Sequence, residues 1–273
     1  MTYHFTPESL TQNYALYTPA DKEVWSILFN RQIKLAAQYA SKEYLDGLKR
    51  IGLTPNKIPD YSEVNQALAQ YTGWAIHVVP GLIANRPFFE LMHNKQFCAS
   101  TWLRRKDQLD YLEEPDMFHD IFGHIPMLSN KHICHFLQEL ARIALKYLDT
   151  PIESKAVEWI SRLYWYTIEF GLIKEDNEIK IYGAGILSSS GESVYSIESK
   201  KPKRLPYDVQ QILDTPYIKD HYQEQYFVID SYKQLFNSIP KIEKALELKQ
   251  SPAATRNAVP KNVTRNAVPS REM

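Results

Sequence analysis

Apolar side chains recur every three or four residues along most of this sequence, the spacing that places them on one face of a helix. A first helix is predicted from Asp21, whose carboxylate would cap its start. Further helices are predicted over about 42–51, 62–71, 131–148, 154–170, 207–213 and 231–248. Three shorter runs, over 74–79, 96–103 and 178–182, have the composition of strands. The pattern therefore predicts a mainly α fold with small β elements.

The two ends of the chain lack this pattern. We expect residues 1–14 to form an N-terminal arm and residues 250–273 a flexible polar tail, in which the hexapeptide TRNAVP occurs twice. A single short duplication does not make a repeat architecture, which needs three or more longer units. Because no internal segment has the composition of a linker, residues 15–249 are expected to form one domain.

Charge and cysteine content exclude several classes of protein. The 273 residues include 32 Lys and Arg against 32 Asp and Glu, so bulk charge gives no reason to expect nucleic-acid binding. No apolar run approaches the ~18 residues of a membrane span, and the start lacks the features of a secretory signal. Cys98 and Cys134 are too few for a disulfide framework. We therefore expect a cytoplasmic protein, without nucleic-acid or membrane partners, that acts on small molecules.

The segment Glu113-Glu-Pro-Asp-Met-Phe-His-Asp-Ile-Phe-Gly-His-Ile-Pro126 carries the most informative candidate chemistry. His119 and His124 lie in the short helix that it predicts. Residues five apart project about 140° from each other on an ideal α-helix, so the two imidazoles could share a metal ion only if the helix bends or ends near Gly123. Otherwise they are two unrelated histidines, and spacing alone leaves both interpretations open.

Glu169 falls in the last turn of the aromatic helix predicted over 154–170. The negative end of the helix dipole disfavours a carboxylate there, and burying it unpaired would cost several kcal/mol more. Its partner would be a cation such as Arg162 or Lys174 if the residue is structural, or a metal if it is functional. Two imidazoles and one carboxylate form the facial triad of non-haem iron oxygenases, but the same ligands also hold catalytic zinc. Spacing does not separate the two metals.

Three segments resemble the pterin-dependent aromatic amino acid hydroxylases, and most closely their prokaryotic members that act on phenylalanine. They are Phe118-His-Asp-Ile-Phe-Gly-His-Ile-Pro126, Tyr164-Trp-Tyr-Thr-Ile-Glu-Phe-Gly171 and Tyr182-Gly-Ala-Gly-Ile-Leu-Ser-Ser189. The similarity extends from about Tyr17 to about Val228. It implies one catalytic domain over 15–249 that converts L-phenylalanine to L-tyrosine with O₂ and tetrahydrobiopterin, or a related reduced pterin, at Fe²⁺. That reaction is the first step of phenylalanine catabolism.

Carried over position by position, the resemblance implies a role for fourteen residues. The catalytic iron ligands would be His119, His124 and Glu169; the pterin pocket would be formed by Gly81, Ile83, Phe88, Asp120 and Tyr164; and the amino-acid pocket by Arg104, Pro115, Trp165, Phe170, Gly185 and Ser188. Phe88 would stack on the pterin ring, and Arg104 would hold the substrate carboxylate. Two positions depart from the animal enzymes' pattern, since Cys98 replaces a pterin-side His and Leu112 a substrate-side Thr.

Other functions remain open at this stage. Within the same family, tryptophan or another aromatic amino acid could be the substrate. From different classes, a zinc-dependent hydrolase would act without dioxygen, and a helical binding protein would have incidental histidines. About 20 residues precede the first helix, so we expect no regulatory domain and a monomer or small homo-oligomer.

Two further patterns are weaker candidates for function. His132 and His135 could join Cys134 in a zinc cluster, but the helical wheel points both histidines toward solvent and makes Cys134 a small core residue. The run Gly183-Ala-Gly-Ile-Leu-Ser188 follows a predicted strand as a dinucleotide fingerprint does, yet repeated βαβ units are absent. We expect its glycines to let the backbone approach the substrate instead.

Overall fold

A computed structural model describes residues 10–110 and 114–250 of the chain. Within these residues the α-helices are α1 (Pro19–Tyr39), α2 (Lys42–Ile51), α3 (Tyr61–Tyr71), α4 (Asn85–His93), α5 (Lys131–Tyr147), α6 (Glu153–Tyr164), α7 (Ala184–Leu187), α8 (Ser190–Glu198), α9 (Val209–Asp214) and α10 (Tyr232–Gln250). The strands are β1 (Ala75–Val78), β2 (Gln96–Ala99), β3 (Leu172–Glu175), β4 (Glu178–Ile181), β5 (Lys203–Pro206) and β6 (Gln225–Ile229). The predicted mainly α fold with small β elements is confirmed. None of the helices described is long and apolar enough to cross a membrane.

The strands form two small sheets. In the first, β1 pairs with β2 in parallel, with Ile76 opposite Phe97. In the second, the order is β4-β3-β6-β5, and only the hairpin of β3 with β4 is antiparallel. Because β4 returns beside β3 as a hairpin, the glycine run that follows it does not belong to a βαβ unit, and the dinucleotide-binding interpretation is excluded.

The start of α1 differs from its prediction. Thr18 is the N-cap residue, and its hydroxyl accepts a hydrogen bond from the Asp21 N–H at 3.2 Å. The Asp21 carboxylate accepts from the Thr18 N–H at 2.8 Å, which completes a capping box. Asp21 is therefore the third residue of the helix rather than its cap. The end of α2 is as predicted, since Gly52 adopts the left-handed conformation with φ 69°.

Some predicted elements differ in length, and others were missed. The strand expected over 96–103 stops at Ala99, and the chain then runs without regular structure to residue 105. Neither α4, which carries Phe88, nor the strands β3, β5 and β6 were predicted. Of the expected arm (1–14) and tail (250–273), residues 1–9 and 251–273 lie outside the described residues, as does Leu112, and Gln250 is the last residue of α10.

A buried aromatic cluster supports the segment that carries the two histidines. Phe118 stacks on Phe122 with ring centroids 4.9 Å apart, and Trp25 of α1 meets Phe118 edge-on at 5.5 Å. Pro126 has no N–H to offer the carbonyl four residues before it, that of Phe122, which instead accepts from the Tyr44 hydroxyl of α2 at 2.7 Å. Contacts with the core therefore hold one face of the histidine segment, and the opposite face of the segment carries the two imidazoles.

Candidate metal centre and active-site cavity

The two histidines lie at the ends of a π-helical segment, His119–His124, and not on an α-helix bent at Gly123. In a π-helix the hydrogen bond joins residues i and i+5, so side chains five apart come to one face. The α-helical geometry on which the spacing argument rested does not apply. Of the two expected alternatives, a bend or an end near Gly123, the segment ends at His124, beside Gly123, and its wider turn brings the imidazoles together.

Glu169 ends a second π-helical segment, Trp165–Glu169, which follows α6 directly. The N–H of Phe170 donates to the carbonyl five residues before it at 2.8 Å. The Thr167 hydroxyl donates to the Leu163 carbonyl at 2.6 Å and so competes for an acceptor of the regular helix, an arrangement that bends helices. The helix predicted over 154–170 is present over 153–169, but its last part is π-helical rather than α-helical, and the wider turn directs Glu169 at the histidines.

The three predicted ligands meet in one place. The Nε2 atoms of His119 and His124 are 3.2 Å apart, and the Glu169 carboxylate lies 3.2 Å from His124 Nε2 and 3.6 Å from His119 Nε2. All candidate ligand atoms fall within 4.8 Å of one another. The expected cation partners of Glu169 are engaged elsewhere or exposed, since Arg162 binds Glu158 and the Leu213 carbonyl and Lys174 faces solvent. The carboxylate therefore faces two imidazoles.

The protonation states of this group suit a divalent metal ion. Burial lowers the pKa of His119 to about 4, so its imidazole is neutral near pH 7. Burial raises the pKa of the Glu169 carboxyl, but the two histidines outweigh that effect and the net pKa lies below its ordinary value. His119 Nδ1 lies 2.9 Å from the Ser188 hydroxyl; in the tautomer that donates Nδ1–H to this oxygen, Nε2 is free to bind a metal. A buried carboxylate beside two imidazoles matches the donor set of the facial triad.

Close backbone packing, permitted by glycines, holds the two π-segments and α7 together. A Cβ at Gly123 would lie 2.9 Å from the Ala184 carbonyl oxygen, and one at Gly183 would lie 2.5 Å from the Glu169 carbonyl oxygen. A Cβ at Gly185 would lie 2.9 Å from the Phe170 ring. Real Cβ atoms do not approach so closely. Gly183 and Gly185 therefore admit the Glu169 segment, and the expectation that these glycines let the backbone approach the substrate stays a prediction.

A cavity of about 280 Å³ opens from the three candidate ligands. All five residues predicted for the pterin pocket line it, namely Gly81, Ile83, Phe88, Asp120 and Tyr164. The rings of Phe88 and Tyr164 meet edge to face with centroids 5.9 Å apart. Cys98, which stands where the animal enzymes have a His, lies on the same wall. The cavity therefore offers flat aromatic surface next to the metal site.

Asp120 is the buried carboxyl group of this wall. Its oxygen accepts from the Ser100 N–H at 2.8 Å and from the Ser100 hydroxyl at 3.1 Å. Burial raises the pKa of Asp120 to about 7. The side chain can accept a hydrogen bond from a ring N–H of a flat ligand or, when protonated, donate one. No feature of the sequence pointed to Ser100, which holds Asp120 in place.

The residues predicted for the amino-acid pocket fall in two layers. Pro115 and Trp165 line the cavity. Behind them, Phe170 packs on Trp165 with ring centroids 4.6 Å apart, Gly185 contacts Phe170, and Ser188 contacts His119. Arg104 is 8% exposed and bonds Asp116 through Nε at 2.9 Å and Nη2 at 2.8 Å. Among the residues that the structure describes, its Nη1 has only a 3.5 Å contact with the Leu109 carbonyl, and this edge of the fork can take a carboxylate.

The rival zinc cluster is not formed. His132 and His135 are exposed on α5 and pack against Phe236 of α10, with ring centroids 6.0 and 4.5 Å away. Cys134 is buried, and its thiol contacts the Leu128 carbonyl at 3.0 Å. The predictions of two solvent-facing histidines and a core cysteine are therefore confirmed.

The fold and the site together define a class of protein: a helical enzyme domain with a facial two-histidine, one-carboxylate metal site beside an aromatic cavity. The family model described as biopterin-dependent aromatic amino acid hydroxylase matches residues 9–264. The chain belongs to this family, as its three motif segments indicated.

Individual relatives agree with this assignment. The chain is 46% identical over 222 residues to the phenylalanine-4-hydroxylase of Ralstonia nicotianae, covering 81% of this chain and 70% of that one. It is 43% identical over 230 residues to that of Chromobacterium violaceum, covering 84% and 76%. A crystal structure of the C. violaceum enzyme with iron(III) and 7,8-dihydrobiopterin superposes with a TM-score of 0.82 at 41% identity, covering 89% of this chain and 87% of that one. Another, with iron and phenylalanine, has a TM-score of 0.80 at 38% identity over the same shares.

Sequence reasoning missed one wall of the cavity, a loop over residues 215–224. Tyr217 and Lys219 of this loop line the cavity. The ring of Tyr217 stacks on Trp165 with centroids 4.6 Å apart and an interplanar angle of 21°, and the Lys219 ammonium lies 5.5 Å from the Tyr217 ring centroid. The loop lies about 50 residues along the chain from Trp165, and no motif marks it.

Proposed function

We propose that this chain is a phenylalanine 4-monooxygenase, which converts L-phenylalanine and O₂ to L-tyrosine and water while a tetrahydropterin is oxidised. The observation that carries the proposal is the convergence of His119, His124 and Glu169 at the end of an aromatic cavity, in a chain of this family. The named activity of its bacterial relatives supports phenylalanine as the substrate.

His119, His124 and Glu169 would hold ferrous iron through two Nε2 atoms and one carboxylate. The facial triad leaves coordination positions open on the side of the cavity. When bound, the iron and the reduced pterin supply the electrons that activate dioxygen for insertion of one oxygen atom into an aromatic ring. The Ser188 hydroxyl, 2.9 Å from His119 Nδ1, keeps that imidazole in the tautomer that coordination needs.

Phe88 and Asp120 would hold the pterin from two directions. The Phe88 ring offers a flat face for stacking, and the edge-on contact with Tyr164 fixes its orientation. Asp120 provides a carboxyl group whose position is fixed by two hydrogen bonds from Ser100. Stacking sets the plane of the cofactor and the carboxyl group sets its rotation within that plane, so the two contacts together orient it.

Arg104 would bind the substrate carboxylate through the edge of its guanidinium that Asp116 leaves free. The Nε and Nη2 bonds to Asp116 pre-organise the fork, so little conformational entropy is lost on binding. Pro115 and Trp165 would confine the substrate ring. Because proximity decides which carbon reacts, this aromatic wall would set which carbon of the substrate ring faces the metal site, the para carbon in the proposed reaction.

A cytoplasmic site of action is part of the proposal. Cys98 and Cys134 are free thiols, which is consistent with a reducing compartment.

Product analysis tests the proposal directly. The protein is loaded with ferrous iron under anaerobic conditions, freed of excess metal and then mixed with L-phenylalanine, tetrahydrobiopterin and air. We expect tyrosine in amounts that depend on both the pterin and O₂, and little or no product when zinc replaces iron. Iron-loaded protein that forms no tyrosine would overturn the proposal. Faster hydroxylation of L-tryptophan than of L-phenylalanine in a parallel reaction would make tryptophan the assigned substrate.

A further inference from the structure

The indole of Trp165 has a buried hydrogen-bond partner that the proposed chemistry does not use. Trp165 Nε1 donates to Gln223 Oε1 at 3.0 Å. Gln223 is 2% exposed, and its Nε2 donates to the Ile218 carbonyl at 2.8 Å. Because one end of the amide faces an N–H donor and the other a carbonyl acceptor, only one orientation of this amide satisfies both partners. The oxygen of Gln223 is thus dedicated to the indole.

The backbone of Gln223 is itself anchored in the core. Its N–H donates to Glu192 Oε1 at 3.1 Å, and the Tyr226 hydroxyl donates to the same oxygen at 2.6 Å. Glu192 is 6% exposed and belongs to α8, which begins two residues after Ser188. Since Ser188, the residue that ends α7, contacts His119, two adjoining helices support the metal side of the cavity and the partner of Trp165.

Stacking restrains the plane of the indole but does not distinguish the ring from the same ring turned over by 180° about its outer torsion. Trp165 lies between Phe170 and Tyr217, each with a ring centroid 4.6 Å away and with interplanar angles of 31° and 21°. The outer torsion of an aromatic side chain has a broad, roughly two-fold preference. A flipped indole could therefore occupy the same sandwich with its N–H at the opposite edge. The Gln223 oxygen selects one of the two states.

We propose that Gln223 is a positioning residue for the aromatic substrate. It fixes which edge of its ring Trp165 presents to the cavity, and Glu192 in turn holds Gln223 in place. This inference rests on the proposed function, because it requires that the ring of phenylalanine lies against Trp165. Substrate affinity and the fraction of pterin oxidation that yields tyrosine should both depend on the Gln223 oxygen, whereas iron binding should not.

Gln223→Met tests the inference, because methionine preserves length and flexibility but offers no comparable acceptor. The dissociation constant of L-phenylalanine is measured by anaerobic titration calorimetry on the ferrous protein. We expect a rise of about tenfold, as for a buried N–H left without a partner. The iron content should be unchanged, and less tyrosine should form per pterin oxidised. Gln223→Leu is the second variant if the first unfolds at a markedly lower temperature.

A double-mutant cycle separates positioning from a general structural effect. Trp165→Phe removes the indole N–H, so Gln223→Met in that background should change the dissociation constant by less than about twofold. Gln234→Leu is the matched control, since Gln234 also ties a turn by accepting the Asp230 N–H, at 2.8 Å, but lies at the start of α10. It should leave phenylalanine binding unchanged.

Three results would overturn the inference. Unchanged phenylalanine binding in Gln223→Met would do so while the proposed function stands. The same holds if Gln223→Met weakens binding equally in the parent protein and in the Trp165→Phe variant. Absence of phenylalanine binding by the unaltered ferrous protein would overturn the proposed function and this inference with it.

Discussion

The Nε2 atoms of His119 and His124 lie 3.2 Å apart although the residues are five positions apart in the chain. On an α-helix the same spacing would turn the two imidazoles about 140° away from each other. The wider turn of the π-helical segment brings the two imidazoles to the same face of the helix. The metal site therefore depends on local helix geometry as much as on the identity of its ligands.

Replacing any one of the three candidate ligands should abolish iron retention. His119→Ala, His124→Ala and Glu169→Ala each leave two ligands, too few to hold ferrous iron through desalting. Metal analysis after anaerobic loading measures the effect, and His132→Ala, which alters an exposed histidine of α5, should retain stoichiometric iron. A ligand variant that keeps its iron removes that residue from the site.

Gly123→Ala should weaken both the fold and the metal site. The new Cβ would lie 2.9 Å from the Ala184 carbonyl oxygen, so the π-segment or α7 must move. Overpacking of this kind costs about 1–3 kcal/mol, which we expect as a lower melting temperature together with weaker iron binding.

Gly52→Ala separates these two effects. Its Cβ meets nothing within 4 Å, but its φ of 69° is unfavourable for alanine. This control should lower the melting temperature with iron affinity intact. If Gly123→Ala also keeps its iron affinity, the packing of the π-segment against α7 does not set the metal geometry.

Arg104→Lys should raise the KM for phenylalanine by about tenfold or more with iron content unchanged. Lysine keeps the charge but lacks the planar fork that can bind Asp116 and a substrate carboxylate at the same time. Steady-state kinetics with phenylalanine as the varied substrate measures the change. Arg105→Lys alters the neighbouring arginine, which pairs with Asp107 at the surface, and should behave as the parent. An unaltered KM in Arg104→Lys contradicts the carboxylate role.

Glu192 should make stability depend on pH. Burial raises the pKa of its carboxyl above the ordinary 4.5, so the folded protein holds this proton more tightly than the unfolded chain. Its stabilising contribution is therefore fullest below the unfolded pKa and is lost as the pH rises through the folded pKa. Glu192→Gln cannot ionise, and we expect its stability relative to the parent to increase from pH 4 to pH 8. Denaturant midpoints measure this, and a pH-independent difference contradicts it.

The spacing of apolar residues predicted those helices that pack through a single apolar face. On α5, Ile133, Leu137 and Leu140 are buried and the histidines exposed, as the helical wheel requires. The π-segments could not be predicted in this way, because they depend on particular hydrogen bonds. One is the bond from the Thr167 hydroxyl to the Leu163 carbonyl, which no spacing rule contains.

Elements that form through contacts between residues far apart in the sequence could not be predicted either. Leu172 of β3 pairs with Val228 of β6, and the loop that holds Trp165 through Gln223 is similarly remote in sequence. Ten of the fourteen predicted residues line the cavity, but only the fold shows that others, such as Phe170 and Ser188, lie behind its wall.

The central claim is that this site inserts an atom of dioxygen into phenylalanine. Its most direct test is mass spectrometry of tyrosine formed by the ferrous protein from L-phenylalanine and tetrahydrobiopterin under ¹⁸O₂. We predict one ¹⁸O atom in each tyrosine, and no tyrosine from His119→Ala. Unlabelled tyrosine, or label acquired only from H₂¹⁸O, would contradict the claim.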